Sequence, residues 1–400
     1  MRKNQSNVEV SRSIKVKGRV RVQIVDSATG RVKRDNGWQN NLILNQGLES
    51  PSLRQWPTCF THATCGTGTT PTQDDSGATT ANQVGTAVTL AGGSFVFNSG
   101  NVGDIIKWDT NEEARITAYV GPTSVTVTPS ASVSASEFTL YRASQVAMAT
   151  ETAGKRTSTY LSGAGNCETV YTPASGLMAM RRTYDFTTEV GSVTYTEVGI
   201  SHTATVAANL FARILLSVPA NLVAGDQLRV IYEIQLTLTP FAPRAITPTI
   251  TGWVGVAGSE MCETFGIGEV LSTGSSTTDG ADLNDPVVAA RAFLSNSTQA
   301  LQANPSTGLL ANRNGTVFVS KAVGNSVSGA GTLSMTMTKS VTFTTSEGNM
   351  TGIRSIALVY NPTGSTYYVG HAFLLDTPQD KTNTFSLALS WKITWSRTLS

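Results

Sequence analysis

From residue 14 onward the chain alternates. Ile14, Val16, Val20, Val22 and Ile24 are interleaved with Lys15, Lys17, Arg19, Arg21 and Gln23. A period of two puts the two sets on opposite sides of a pleated strand, so the pattern predicts one buried and one solvated face. Asp26-Ser-Ala-Thr-Gly30 then supplies turn chemistry, and Arg31-Val32-Lys33 begins a return strand, which predicts a hairpin. Five short runs, 94–97, 104–108, 114–119, 124–128 and 137–142, recur between Asn, Gly and Pro turns. They predict a compact all-β unit over 84–142, a small barrel-like module inserted into a larger domain. One stretch leaves the strand pattern. Asp285 as N-cap and Pro286 at the first position predict a helix over 286–303.

The strand pattern also repeats. Arg182-Thr-Tyr-Asp-Phe186-Thr-Thr-Glu-Val-Gly191 resembles Lys339-Ser-Val-Thr-Phe343-Thr-Thr-Ser-Glu-Gly348. Each is followed by an apolar strand ending in proline, Ile214–Pro219 and Phe373–Pro378, and then by a long alternating strand. Phe186/Phe343 and Leu228/Phe385 share an offset of 157, while Pro219/Pro378 differ by 159. Such self-similarity predicts two β-sandwich units in tandem, jelly-roll or immunoglobulin-like, joined near Pro240–Arg244. The division is 1–83, the basic strand and loops contributing to the first sandwich; 84–142, the inserted module; 143–243, the rest of the first sandwich; and 244–400, the second.

Composition narrows the surface. Charged residues are 14% of the 400, against about 25% in ordinary soluble domains, and polarity is carried instead by residues such as 57 threonines. A β-branched, neutral, hydroxyl-rich surface suits sheets. Apolar residues at 40% with a net charge of +2 argue against disorder. The charge is uneven: ten basic residues against Glu9 and Asp26 make the first 34 residues +8, leaving −6 for the remainder. Lys15, Lys17, Arg19 and Arg21 on one strand face are the candidate assembly contact, aimed at an acidic neighbour; the plainer reading is a strand edge kept soluble.

Candidate chemistry is sparse. Cys59, His62 and Cys65 lie within seven residues, but Cys167 and Cys262 offer no paired fourth ligand, so no metal is expected. His62, His202 and His371 have no nucleophile in a Gly-x-Ser-x-Gly elbow, and Asp74-Asp75 and Glu112-Glu113 are adjacent carboxylates in turns. Trp253, Trp391 and Trp395 are expected in the core rather than against sugars. The residues point to no enzyme and no cofactor. No apolar h-region opens the chain and no apolar run nears the about 18–20 residues of a membrane span.

The basic alternating strand, Asn40-Asn41-Leu-Ile-Leu-Asn45-Gln-Gly47-Leu48 and Gly66-Thr-Gly-Thr-Thr-Pro71 together resemble structural proteins of tailed-bacteriophage virions. So do Tyr195–Ser201, Leu210-Phe-Ala-Arg213, Ala224–Tyr232 and, more weakly, Trp391–Arg397. The resemblance spans most of residues 14–240. It implies a tail fibre or other tail-associated protein, assembled in host cytoplasm and carried on the virion. Its partners would be further copies of itself, other virion proteins and, in a binding role, a host cell-surface receptor. It carries over no catalytic residue, no nucleic-acid contact and no membrane insertion. The alternatives are a capsid decoration or head-fibre protein, or a module binding host glycans.

Overall fold

The computed structural model describes residues 5–52, 56–163, 165–172, 175–205, 209–238, 244–246, 258–261, 291–296, 318–363 and 366–399. Strands make up 64% and helical turns 6%, so the chain is all-β and built from several sheets. It opens with β1 (Gln5–Asp26), β2 (Val32–Ile43), the single-turn helix α1 (Asn45–Glu49) and β3 (His62–Gly66). The insert follows: β4 (Gln73–Asp75), β5 (Ala81–Leu90), β6 (Ile105–Trp108), β7 (Glu113–Gly121), β8 (Ser124–Ser136) and β9 (Phe138–Tyr141). Then come β10 (Glu151–Thr157), β11 (Tyr160–Leu161), β12 (Cys167–Thr172), β13 (Leu177–Asp185), β14 (Val193–Ser201), β15 (Leu210–Leu222) and β16 (Asp226–Leu238). After them stand β17 (Arg244–Ile246), β18 (Gly258–Met261), β19 (Arg291–Ser295), β20 (Phe318–Ala322) and β21 (Gly324–Ser328). The chain closes with β22 (Ser334–Phe343), β23 (Met350–Thr363), β24 (Thr366–Lys381) and β25 (Ser386–Arg397).

The inward face of β1 is the alternating apolar set. Ile14, Val16, Val20, Val22 and Ile24 are all buried, each worth about 1.5–3 kcal/mol relative to exposure. The gap in the alternation falls at Gly18, which also faces inward. A Cβ there would strike the Asn41 side chain, so the smallest residue stands where β2 comes closest.

The repeat is visible in the pairing. On one side of β1 lie β16, β13 and β12; on the other lie β25, β22 and β21. Two further series correspond strand for strand: β10-β3-β14-β15-β2-β1 and β20-β19-β23-β24-β18-β17. The copies differ in how their last strands meet β1. β16 runs antiparallel to β1 over Ile14–Asp26, whereas β25 runs parallel to it over Gln5–Val16. Among the described strands of residues 244–400, β21, β22 and β25 therefore share a sheet with the first copy. They take a strand from the N-terminus, and a single core cluster runs from Ile14 and Tyr232 through Trp395 and Leu294. The register also corrects the alignment. Phe343 stands opposite Leu387 while Phe186 donates its N–H to the Leu228 carbonyl, so Leu228 matches Leu387, and the offset of 159 at the prolines persists to the end.

Two further expectations change. The stretch assigned to a helix over 286–303 contains β19, whose backbone pairs with both β20 and β23; the other residues of that stretch, apart from Asn296, lie outside the described residues, as does Trp253. Local capping signals yield there to two ladders of tertiary pairing. The inserted sheet begins at Gln73 rather than at 84, in the order β4-β9-β6-β7-β8-β5. The run 94–97 is not a strand, yet Phe97 and Phe95 pack edge-to-face, 5.4 Å between ring centroids, inside a core of its own with Trp108 and Phe138. Trp391 and Trp395 lie in the main core, and the Trp395 indole donates to the Leu48 carbonyl at 2.7 Å.

The module is grafted between β3 and β10, and a buried ion pair locks the graft. Glu197 on β14 and Arg213 on β15 are both fully buried and 2.6 Å apart. Glu197 also accepts from the backbone N–H groups of Gly68, Ala149 and Thr150, one linker on each side of the insert. Arg213 donates to the Thr70 carbonyl and the Gln145 side chain, each at 2.8 Å. Gly66 and Gly68 are required here, because a Cβ on either would collide with the Thr150 carbonyl or the Glu197 carboxylate. Removing one partner of a buried pair strands the other charge. Arg213→Leu should therefore lower stability by about 3–5 kcal/mol in urea unfolding, and Glu197→Gln added to it should restore part of that loss. Wild-type midpoints in the single variant would show that the clamp carries no weight.

Candidate functional site

The outward face of β1 was the place to look for an assembly contact, and cross-strand register decides what each basic residue does. Arg19 stands opposite Glu233 on β16, and its guanidinium reaches that carboxylate at 2.6 Å. Arg181 on β13 holds the other oxygen of Glu233 at 2.7 Å and also pairs with Glu168 at 2.9 Å. The Trp38 ring lies beside both guanidinium groups, 4.3 Å from Arg19 and 5.7 Å from Arg181. Arg21 pairs with Asp35 on β2, and Gln23 donates to the same carboxylate at 2.8 Å. Arg19 and Arg21 are thus paired with carboxylates inside the chain, while their side chains stay partly exposed, at 30% and 37%. Lys15 is exposed and Lys17 half-buried, and neither forms an ion pair among the described residues. The structure keeps four residues on one strand face and pairs two of them within the chain.

The same pattern closes the hairpin end. Lys33 bridges Asp26 at 3.1 Å and Asp226 at 2.6 Å. The Thr29 hydroxyl and N–H, with Lys33, hold the Asp26 carboxyl down at about 2, and hydrogen bonds from Arg21 hold Asp35 well below the usual carboxylate range. The Glu233 and Asp226 partners could not be read from the sequence, because they lie 214 residues from Arg19 and 193 from Lys33. The signal that existed was the alternation of Arg229, Glu233 and Gln235 along β16, a charged strip matching that of β1 in period.

Elsewhere the chemistry is structural. Cys59 and Cys65 are buried thiols outside any disulfide, and burial pushes the Cys65 thiol far up, away from nucleophilic thiolate. His62 accepts or donates to the Thr61 hydroxyl at 2.9 Å, and burial lowers its pKa. No group of three metal-ligating side chains converges among the described residues. Lys155 and Tyr195 both reach the Glu189 carboxylate, at 2.7 and 2.8 Å, closing a buried polar cluster beside Cys65. Among the described residues no helix is long and apolar enough to cross a membrane. No family model, curated protein or solved structure matches this chain.

Two outcomes follow from the ladder. Arg19→Glu places a second carboxylate against buried Glu233 and should lower stability by about 2–3 kcal/mol, whereas Lys15→Glu with Lys17→Glu should change it by about 0.5 kcal/mol or less. Equal effects in urea unfolding would show that the register does not select between them. Asp26 and Asp35 have depressed folded pKa values, so their stabilisation is present above the free carboxylate value of 3.8 and is lost as pH falls below it, for Asp26 toward about 2. Asp35→Asn should flatten the acid limb of a stability–pH curve in that window; an unchanged limb would count against the Arg21 pair.

Proposed function

We propose that this chain is a non-enzymatic structural subunit of a bacteriophage virion, serving as a tail appendage: a fibre, a fibre-anchoring collar or another tail-associated protein. The observation that carries the reading is the graft. A module with its own core is held on the larger sheets by linkers locked to a buried ion pair, an arrangement that presents one unit from a support. A support of this kind works through packing and interfaces rather than through a reaction, and its charged groups are largely spent within the chain. Lys15 and Lys17 are the basic pair left to meet an acidic surface on another copy or another virion protein. Host recognition, if the subunit performs it, falls to the module, whose Val84, Val96, Tyr119 and Val120 side chains are solvent-exposed.

Negative-stain microscopy of virions labelled with antibody against the chain should place label on the tail. Label on the capsid would move the protein to a decoration or head-fibre role, and unlabelled virions would overturn the reading. Lys15→Glu with Lys17→Glu should leave the purified chain folded and reduce its incorporation into particles, most clearly as salt approaches the level that already weakens wild type. Wild-type incorporation at every salt concentration would return these lysines to the role of a soluble strand face.

A further inference from the structure

The linkers carry the module, yet they are not its only hold on the body. A small core of Leu42, Leu44, Ile105, Tyr141, Leu210 and Leu399 joins β2, β15, the base of the module and the end of β25. Beside it stands Asn45 of α1, 8% exposed, whose side chain is spent in both directions. The amide nitrogen donates to the Gly103 carbonyl of the module and the amide oxygen accepts from Arg397 of β25, each at 2.7 Å. The Asn45 backbone N–H donates to the Ala143 carbonyl of the returning linker at 2.9 Å. Two further bonds cross the same seam from the module. Lys107 donates to the Leu399 carbonyl at 3.0 Å, and Arg115 donates to the Thr332 carbonyl, in the turn before β22, at 3.3 Å.

We propose that the end of β25 is a latch on the module, acting through Asn45. Seated, it holds the module in one orientation; released, it leaves the module to swing on its two linkers. The module has a core of its own, and its sheet shares no strand pairing with the body among the described residues, so its fold does not need the seam. Apolar contact is non-directional, whereas hydrogen bonds weaken steeply with angle, so the polar bonds of the seam are what define an orientation. Arg397 is a positioning residue in this arrangement. It is 2% exposed, and its partners are the Ile43 carbonyl and Asn45 rather than a carboxylate. Burial pushes its pKa down to about 9, with Arg115 adding repulsion and Glu113 and Glu49 opposing the shift through space. A buried cation held this way adds little net stability, so its contribution is placement. β25 also pairs with β1 and β22, so a shift of that strand is passed to the module's seat. The latch concerns one chain in solution and stands apart from the virion reading; either can fail without the other.

Double electron–electron resonance on the full chain tests it. Spin labels go on Val120→Cys in the module and Val190→Cys in the body, both solvent-exposed positions. Cys167→Ser and Cys262→Ser form the background, with Cys59 and Cys65 left buried. The chain without further changes should give one narrow distance. Asn45→Asp keeps an acceptor for Arg397, and supplies the carboxylate it lacks, but removes the donor to Gly103. Combined with Lys107→Met, it should replace the narrow distance by a broad or split distribution while urea unfolding stays cooperative. A merely structural role predicts the reverse, a chain at least as stable with the module unmoved, because the buried cation has gained a counter-charge. Hydrogen exchange locates the change: the Gly68, Ala149 and Thr150 amides bonded to Glu197 should keep wild-type rates. If the Asn45 variant does not fold, Lys107→Met with Arg115→Met, both half-buried module residues, decides in its place. An unchanged narrow distance in the folded variants would overturn the latch. So would a broad distribution before any seam residue is changed, or faster exchange at those three amides.

Discussion

One strand has three neighbours, and the rest of the molecule is arranged by that fact. β1 gives one edge to β16 over its C-terminal half and the other edge to β2 and β25 in succession. Around Ile14 to Val16 both edges are occupied at once, by β16 and by β25. The side chains there are pressed into a core that draws on both repeats. A strand paired on both edges cannot slip by one residue without turning every apolar side chain to solvent. The tandem copies are therefore not two beads on a string. Each is completed by the same strand, and their relative placement follows from its register.

The graft obeys a related constraint. An insertion between two strands of a sheet is tolerated if its ends return close together, and here β3 and β10 are neighbours in the sheet, so the two linkers already run side by side. What remains is to satisfy their backbone groups away from water. Glu197 does so by offering acceptors, and Arg213 donors, to both linkers. A buried ion pair is a weak source of net stability when it does nothing else. This one also satisfies three backbone N–H groups and a carbonyl, and that defines how the linkers leave the sheet.

How much of this was legible depends on range. The period of two on β1 and β16 survives every context, because one face of each strand is buried, and the repeat could be seen because its turns and prolines recur. The start of the module could not. Its first strand, β4, is three residues without an apolar side chain, and β5 carries Gly85 and two register irregularities, so no apolar rhythm announces it. The helix expected from Asp285 and Pro286 rested on local signals, while β19 is held by partners about 25 and 65 residues further on in the chain.

The basic face shows the same limit from the side of function. Read alone, five like-charged or polar side chains on one strand look like a surface waiting for a partner. The +8 of the first 34 residues against −6 in the remainder invites that reading, yet the complementary charge lies within the chain. Glu233 and Asp35 sit on the strands flanking β1, so the segment's charge helps to choose neighbours in the sheet before any second molecule arrives. Long strands of similar hydrophobic period can pair in several ways, and charge opposite charge at Arg19 and Glu233 distinguishes the native register from its two-residue slips, which would keep the apolar face buried. In that sense the charge asymmetry is first a folding device. Lys15 and Lys17 sit where β1 passes from β2 to β25, and like Arg31 and Arg34 they form no ion pair among the described residues.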